Sequence, residues 1–176
     1  MRVMPVVSNR FHFTVNFKGD DRQIPSLLHK VDDFLYRGER PLPTQVPELK
    51  KFNISTVIDF STENQKFLGY SEKEAVESLQ MKYFSIPFLS FENPSDKDIE
   101  KFFNISEHVR QNREKMFVHC LGGRDRTGLF VELYKIRYGL SNASESLLTL
   151  KRNRYRFSEN PLVTQLIEDF AKKLHR

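Results

Sequence analysis

The chain has 176 residues and a mass of 20.8 kDa, a length that suits one domain with a substantial core. Its formal net charge is +5, from 28 Lys and Arg against 23 Asp and Glu, and it has a single cysteine. One cysteine excludes an intrachain disulfide framework and a cysteine-rich zinc site. The sequence also has no run of apolar residues long enough to span a membrane, and its apolar start is too short for a secretory signal. We therefore expect a monomeric, cytoplasmic protein without a membrane span.

The first half of the chain alternates between predicted strands and helices. Apolar Phe11, Phe13, Val15 and Phe17 alternate with polar residues, which is typical of a half-buried strand. The next predicted elements are a strand over 33–37, a short helix capped by Thr44 that runs to Lys51, a buried strand over 55–60, a helix over 71–80 and a strand over 82–86.

The second half continues the alternation. Ser95 opens a helix, and Asp98 three residues later predicts a capping box. The later elements are a strand over 115–119, a helix over 127–138, a helix over 143–151 and a helix that begins at Asn160-Pro161. This order predicts an α/β fold in which helices flank a central, largely parallel sheet as three layers. We expect one domain over 1–176, with a core over 33–176 and residues 1–32 as an extension or an added strand.

The positive charge is concentrated in the C-terminal part of the chain. From Arg110 onward there are 14 Lys and Arg against 7 Asp and Glu, including the basic cluster of Lys151, Arg152, Arg154 and Arg156. Such an asymmetry favours an anionic partner.

The single cysteine lies where a predicted buried strand meets a predicted helix. The segment reads Val118-His119-Cys120-Leu121-Gly122-Gly123-Arg124-Asp125-Arg126-Thr127-Gly128. It resembles the signature of the cysteine-dependent protein-tyrosine phosphatase superfamily, in which His-Cys is followed by five residues, Arg, and Ser or Thr. The ending Asp-Arg-Thr-Gly resembles a subset of small bacterial lipid, dual-specificity and inositol-phosphate phosphatases.

The residue types of this segment suit a phosphate-binding loop. The N–H groups of a loop that leads into a helix N-terminus can surround an anion, and Gly122 and Gly123 let the backbone approach it closely. The planar fork of Arg126 can hold two phosphoryl oxygens. The helix dipole and Arg126 also favour the thiolate form of Cys120. This thiolate could attack phosphorus and give a phosphocysteine, which water then hydrolyses.

The resemblance assigns roles to further residues of the segment. It implies that the Thr127 hydroxyl assists breakdown of the phosphocysteine and that His119 supports the thiol. It also implies a phosphate-binding loop made of Leu121, Gly122, Gly123, Arg124, Asp125 and Arg126.

A general acid is expected because the leaving oxygen needs a proton. The resemblance implies an Asp on a loop upstream of the cysteine, but Ser90 or Phe91 occupies the matching position. Asp125 and Asp96 are equally ranked candidates, followed by Glu92, with Asp98 also nearby. Asp96 and Asp98 could instead be the acidic residues of a helix first turn.

The expected substrate is a phosphorylated protein, with phosphate on tyrosine, serine or threonine. The alternative is an inositol polyphosphate or a phosphoinositide, because Arg124 adds a second guanidinium to the loop. A non-catalytic phosphate-binding module and a sulfurtransferase are remoter alternatives. We expect no metal or other cofactor and no nucleic-acid partner.

Overall fold

The computed structural model describes residues 28–62, 70–90, 92–153 and 160–174. They form five strands and six helices: β1 (His29–Lys30), β2 (Leu35–Glu39), α1 (Val46–Lys51), β3 (Ile54–Asp59), α2 (Glu72–Ser78), β4 (Lys82–Ser85), α3 (Asp96–Gln111), β5 (Lys115–Cys120), α4 (Asp125–Arg137), α5 (Ala143–Arg152) and α6 (Pro161–Leu174). The predicted strand over 11–17 lies outside the described residues, as do Arg154 and Arg156. The prediction of one domain over 1–176 therefore stays a prediction. The other predicted elements are present, with ends that differ by at most two residues.

The strands form one sheet in the order β1-β2-β5-β3-β4. β1 is antiparallel to β2, whereas β2, β5, β3 and β4 run parallel to their neighbours. The predicted α/β fold with a largely parallel central sheet is confirmed. In this register Cys120 at the end of β5 is level with Glu39 of β2, and His119 is level with Asp59 of β3. The ends of three strands therefore meet at one edge of the sheet, where ligands of parallel sheets commonly bind.

Helices cover both faces of the sheet because successive strand residues point to opposite sides. On β5, Phe117 packs into a cluster with residues of α1 and α2. Val118, the next residue, packs into a larger cluster with residues of α3, α4, α5 and α6. The three predicted layers are therefore present. Among the described residues, no helix is long and apolar enough to cross a membrane.

A group of phenylalanines packs beneath the carboxyl edge of the sheet. The ring of Phe60, just after β3, stacks on Phe130 of α4 with centroids 4.3 Å apart. Phe88, in the segment after β4, meets Phe130 edge-on at 5.5 Å, and Phe102 of α3 contacts the same ring at 4.9 Å. Aromatic pairs of this kind stabilise a core beyond their buried area. They hold the segments after β3 and β4 against α4.

The helix caps follow the sequence in one case and depart from it in another. Ser95 and Asp98 form the predicted reciprocal capping box at the start of α3, which is confirmed. The predicted cap by Thr44 is wrong, because the N-cap residue of α1 is Gln45, which makes no side-chain cap. Its side chain instead accepts a hydrogen bond from the N–H of Leu42 in the preceding turn, at 2.8 Å.

Candidate active site

Cys120 occupies the carboxyl end of the central strand and is 3% exposed. Residues 121–124 follow it as a short loop, and α4 begins at Asp125. The thiol is therefore held by a rigid, buried strand at the N-terminal end of a thirteen-residue helix. Unpaired backbone N–H groups and the positive end of the helix dipole favour an anion at such a position.

The loop is attached to β2 by its carbonyl groups. The Leu121 carbonyl accepts a hydrogen bond from the Arg40 N–H at 3.2 Å, and the Gly123 carbonyl accepts one from the Arg37 guanidinium at 2.6 Å. Every described peptide bond is trans, so each N–H points away from the carbonyl before it. The N–H groups of Gly122 and Arg124 are thus directed away from β2, as a cradle for an anion requires.

The loop backbone requires glycine at Gly123 but not at Gly122. Gly123 has a φ of +63°, and a Cβ there would lie 2.2 Å from the Gly38 carbonyl oxygen. Only glycine fits this position without moving the loop or β2. A Cβ at Gly122 would have no atom of the described residues within 4 Å, and the backbone there is outside the left-handed region. The backbone freedom predicted for both glycines is therefore needed at Gly123.

Arg126 is buried in the first turn of α4, with 5% of its surface exposed. Its Nη1 lies 3.4 Å from the carbonyl oxygens of Phe60 and Phe88 and from the Thr62 hydroxyl. The two phenylalanines belong to the aromatic group described above, so the core itself fixes the carbonyls that orient the guanidinium. A positively charged, planar fork held in this way is suited to binding phosphoryl oxygens.

Thr127 follows Arg126 and is fully buried. Its hydroxyl has no hydrogen-bond partner among the described residues. Buried polar groups are nearly always hydrogen-bonded, so an unpaired hydroxyl beside the loop is consistent with one that faces a ligand. Its predicted role in the breakdown of a phosphocysteine stays a prediction.

His119 directly precedes Cys120 on β5 and is fully buried. Its Nε2 lies 2.7 Å from the Glu72 carboxylate, and its Nδ1 lies 3.3 Å from the Cys120 carbonyl and 3.7 Å from Asp59. Arg40 contacts the same two carboxylates, at 3.3 Å for Asp59 and 3.6 Å for Glu72. We call these four side chains, Arg40, Asp59, Glu72 and His119, the buried ion cluster.

Opposite charges within the buried ion cluster stabilise the ionised forms of its side chains. Burial favours neutral imidazole, but the hydrogen bond and charge of Glu72, with the charge of Asp59, outweigh it and raise the pKa of His119. Burial likewise opposes ionisation of Asp59, but the charge of His119, hydrogen bonds from Ser61 and the charge of Arg40 lower its pKa. An imidazolium also donates at both ring nitrogens, which matches the acceptors on its two sides. Two cations therefore balance two carboxylates.

Three members of the buried ion cluster also have the residue types of a metal site. Asp59, Glu72 and His119 offer ligand atoms within 4.8 Å of one another. However, Arg40 already contacts both carboxylates, and a protonated imidazole has no lone pair to offer a metal. The residues present suit an ion-pair cluster better than a metal site.

The four candidate acids differ in their surroundings. Asp98 accepts hydrogen bonds from the N–H and the hydroxyl of Ser95, so its carboxylate caps α3. Asp96 is exposed at the first position of α3, and Glu92 is exposed in the preceding segment. Asp125 is partly buried at the first position of α4, between Arg124 and Arg126. The identity of the general acid stays a prediction.

The remaining predicted residues lie on the surface of the loop and on α5. Leu121 is 49% exposed, and Arg124, the N-cap residue of α4, is also exposed. Lys151 and Arg152 end α5 and are exposed. α5 follows α4 in the chain and packs against it, so these cations lie on a helix that contacts the one after the loop.

Four residues with structural roles at this site were not predicted from the sequence as site residues. Arg37 ends a predicted strand and Arg40 follows it, Asp59 lies in a predicted buried strand, and Glu72 lies in a predicted helix. One signal was available for Asp59, because a carboxylate at the end of a buried parallel strand lies at the ligand-binding edge. No comparable local signal marks Glu72, since its role depends on contact with a strand far along the chain.

Comparison with known proteins agrees with the geometry of the loop. The family model described as dual specificity phosphatase, catalytic domain, matches residues 35–172. A curated relative, the phosphatidylglycerophosphate phosphatase PTPMT2 of Arabidopsis thaliana, is 24% identical over 144 residues, which are 81% of this chain and 62% of the relative. A probable protein tyrosine phosphatase type IVA A of Dictyostelium discoideum is 23% identical over 85% of this chain and 87% of its own length. The chain thus spans less than two thirds of the plant relative.

Solved structures share the fold. The crystal structure of PTPMT1 has a TM-score of 0.70 and 19% identity, and it covers 84% of this chain and 96% of its own. The same protein in complex with PI(5)P gives a TM-score of 0.69. At this level of identity the likeness shows the fold, and the chemistry must be argued from the loop itself.

Proposed function

The chain belongs to the dual specificity phosphatase catalytic domain family, and we propose that it removes phosphate from phosphorylated protein side chains by way of Cys120. It is a cysteine-dependent phosphatase. The observation that carries the proposal is the position of Cys120 at the end of the central strand, where the loop carbonyls bind β2 and leave N–H groups to face an anion.

The proposed reaction has two steps. In the first, the Cys120 thiolate attacks phosphorus, the bond from phosphorus to the leaving oxygen breaks, and a carboxylic acid gives that oxygen a proton. In the second, water attacks the phosphocysteine and gives a proton to the carboxylate, the sulfur–phosphorus bond breaks, and inorganic phosphate leaves with the thiolate and the carboxylic acid regenerated. Arg126 and the loop N–H groups bind the equatorial oxygens, whose charge they stabilise throughout.

Asp125 is the acid that we propose. It is partly buried in the first turn of α4 beside Arg126, whereas Asp96 and Glu92 are exposed and Asp98 caps a helix. A carboxyl group attached to the loop moves with the bound phosphate, which suits proton transfer to the leaving oxygen.

A second candidate substrate class is an inositol phosphate or a phosphoinositide. Arg124 exposes a guanidinium at the loop and could bind a second phosphate. One relative is named as a phosphatidylglycerophosphate phosphatase, and the structure of PTPMT1, which shares the fold, was solved in complex with PI(5)P. Protein phosphatases are represented among the relatives by the Dictyostelium protein.

The test is a comparison of kcat/KM for phosphotyrosyl and phosphoseryl peptides, an inositol polyphosphate and a phosphoinositide in mixed micelles. We expect the peptides to be the better substrates and Cys120→Ser to abolish turnover of all of them while the protein stays folded. Arg124→Ala should lower inositol polyphosphate turnover more than that of an aryl phosphate. Faster turnover of the inositol compounds would assign the second class, and unchanged activity of Cys120→Ser would refute the mechanism.

The remoter alternatives are tested on the same samples. Sulfur transfer from thiosulfate to cyanide would indicate a sulfurtransferase. Tight binding of vanadate without turnover of any phosphate ester would indicate a non-catalytic module.

A further inference from the structure

A groove of about 580 Å³ lies between strand β4 and helix α3, apart from the catalytic loop. Apolar side chains of Phe84, Ile105 and Val109 line part of it. In the described sheet β4 is an edge strand, since its one neighbour in the strand order is β3. The volume falls within the range of clefts that bind ligands or peptide segments.

The rim of the groove is positively charged. Lys82, Lys97 and Lys101 line it together with His108, and Glu100 is the acidic residue among its lining side chains. The Lys101 ammonium is held near β4 by donating to the Ser85 carbonyl at 2.9 Å. Lys82 pairs with Glu114 at 3.8 Å, so the excess positive charge of the groove comes from Lys97 and Lys101, opposed by Glu100. This net positive charge attracts acidic groups.

The groove begins near the carboxyl ends of the strands, where Cys120 lies, and extends away from them along α3. Lys97 lies in the first turn of α3 and Ser85 at the carboxyl end of β4, the end of the sheet that also holds Cys120. β4 is two positions from β5 in the sheet, a separation of about 10 Å. From Lys97 to His108 the helix rises about 16 Å, which equals about five residues of an extended chain.

We propose that this groove binds an acidic, extended segment of the phosphoprotein substrate, next to the phosphorylated residue in the catalytic loop. The proposal rests on the proposed function, because it deepens the assignment of a protein substrate. An edge strand can pair with an extended peptide, and the apolar lining of the groove beside its lysines fits a segment of mixed acidic and apolar residues. Its charge adds affinity without touching the reacting phosphate.

The experiment compares two phosphotyrosyl peptides that share a central sequence and differ in one flank, which contains either glutamates or glutamines. The test variant is Lys97→Ala combined with Lys101→Ala. The control is Lys172→Ala combined with Lys173→Ala, which removes the same charge from exposed positions of α6. A small aryl phosphate reports on the catalytic loop alone.

We expect the wild-type chain to prefer the glutamate peptide through a lower KM, and the groove variant to lose about threefold to tenfold in kcat/KM for that peptide alone. Turnover of the aryl phosphate and of the glutamine peptide should be unchanged, and the control should match wild type. High salt should reduce the preference, since exposed charges are screened. Equal kcat/KM for the two peptides, or an equal loss in the α6 control, would overturn the proposal.

Fluorescence anisotropy of the glutamate peptide without its phosphate separates this proposal from the proposed function. If the chain hydrolyses inositol phosphates and no phosphopeptide, the protein-substrate assignment fails. Binding of the unphosphorylated glutamate peptide that the groove variant loses would still support the groove as a docking site. Equal binding of the glutamate and glutamine peptides, or binding of anionic vesicles in place of the peptide, would refute it.

Discussion

The guanidinium of Arg37 on β2 donates a hydrogen bond to the carbonyl of Gly123 in the catalytic loop, at 2.6 Å. A carbonyl oxygen that faced a bound phosphate would repel it, so this bond keeps the negative end of the peptide dipole away from the anion. It also places a positive charge directly behind the loop. Arg37 thus acts as a positioning residue, through the loop backbone rather than on the substrate.

Replacing Arg37 by Ala should weaken phosphate binding and catalysis while leaving the fold intact. A hydrogen bond to a charged group contributes about 1.5–3 kcal/mol, so we expect kcat/KM for an aryl phosphate to fall about tenfold or more. Arg37→Lys should restore part of the loss. The measurement is kcat/KM together with the inhibition constant of vanadate, which should weaken in parallel.

Arg137→Ala is the matched control for Arg37, because Arg137 is exposed at the opposite end of α4 from the loop. It should retain wild-type kinetics. An Arg37→Ala variant with unchanged vanadate inhibition would show that the hydrogen bond to Gly123 does not shape the cradle.

Alanine substitutions at the two loop glycines should have very different effects. At Gly123 an added Cβ would lie 2.2 Å from the Gly38 carbonyl oxygen, in a backbone conformation that L residues rarely adopt. Gly123→Ala must therefore displace the loop, and a shift of about 1 Å can cost about 100-fold in rate. Gly122→Ala meets no described neighbour and should stay within a few-fold of wild type. Comparable kinetics for the two variants would contradict this interpretation of the loop.

The strand–loop–helix arrangement around Cys120 could be predicted because its information is local. Cys120, Gly123 and Arg126 lie within seven consecutive residues, between an apolar strand and a helical stripe. The alternation of strands and helices likewise predicted the α/β fold, since each element depends mainly on its own pattern.

The long-range contacts that hold the loop in place could not be predicted in the same way. Arg37 and Gly123 are 86 residues apart, and Glu72 and His119 are brought together by the packing of a helix against a sheet edge. Such contacts depend on strand order, which places β2 and β3 on the two sides of β5. The same reason explains why Arg40 gave no sequence signal of its role in a buried cluster.

The buried ion cluster should make stability depend on pH with a defined sign. The pKa of His119 is raised in the folded state above its ordinary 6.5, so its contribution is complete below that pH and is lost as pH rises through the folded value. The pKa of Asp59 is lowered below its ordinary 3.8, so its contribution is complete above that pH and is lost as pH falls through the folded value. The cluster is therefore most stabilising between these limits, and the free energy of unfolding should decrease on the alkaline side of 6.5.

Denaturant titrations from about pH 5 to about pH 9 measure this dependence. In Glu72→Gln the carboxylate that contributes most to raising the pKa of His119 is gone, so the alkaline decrease should begin at lower pH. Removing one partner of a buried ion pair should also lower stability by about 3–5 kcal/mol. A variant with the same pH profile as wild type would show that Glu72 does not hold the imidazolium. Lys82→Ala, which loses an exposed pairing with Glu114, is the control and should keep the wild-type profile.

The general acid can be identified because the rate lost on its removal depends on the leaving group. Nitrophenolate leaves without a proton, whereas the alkoxide of phosphoserine needs one, so loss of the acid should affect the second substrate far more. Asp125→Asn should lower kcat about 100-fold or more for a phosphoseryl peptide and much less for nitrophenyl phosphate. If Asp96→Asn shows the larger selective loss, the proton comes from α3, and Asp125 serves only the shape of the loop.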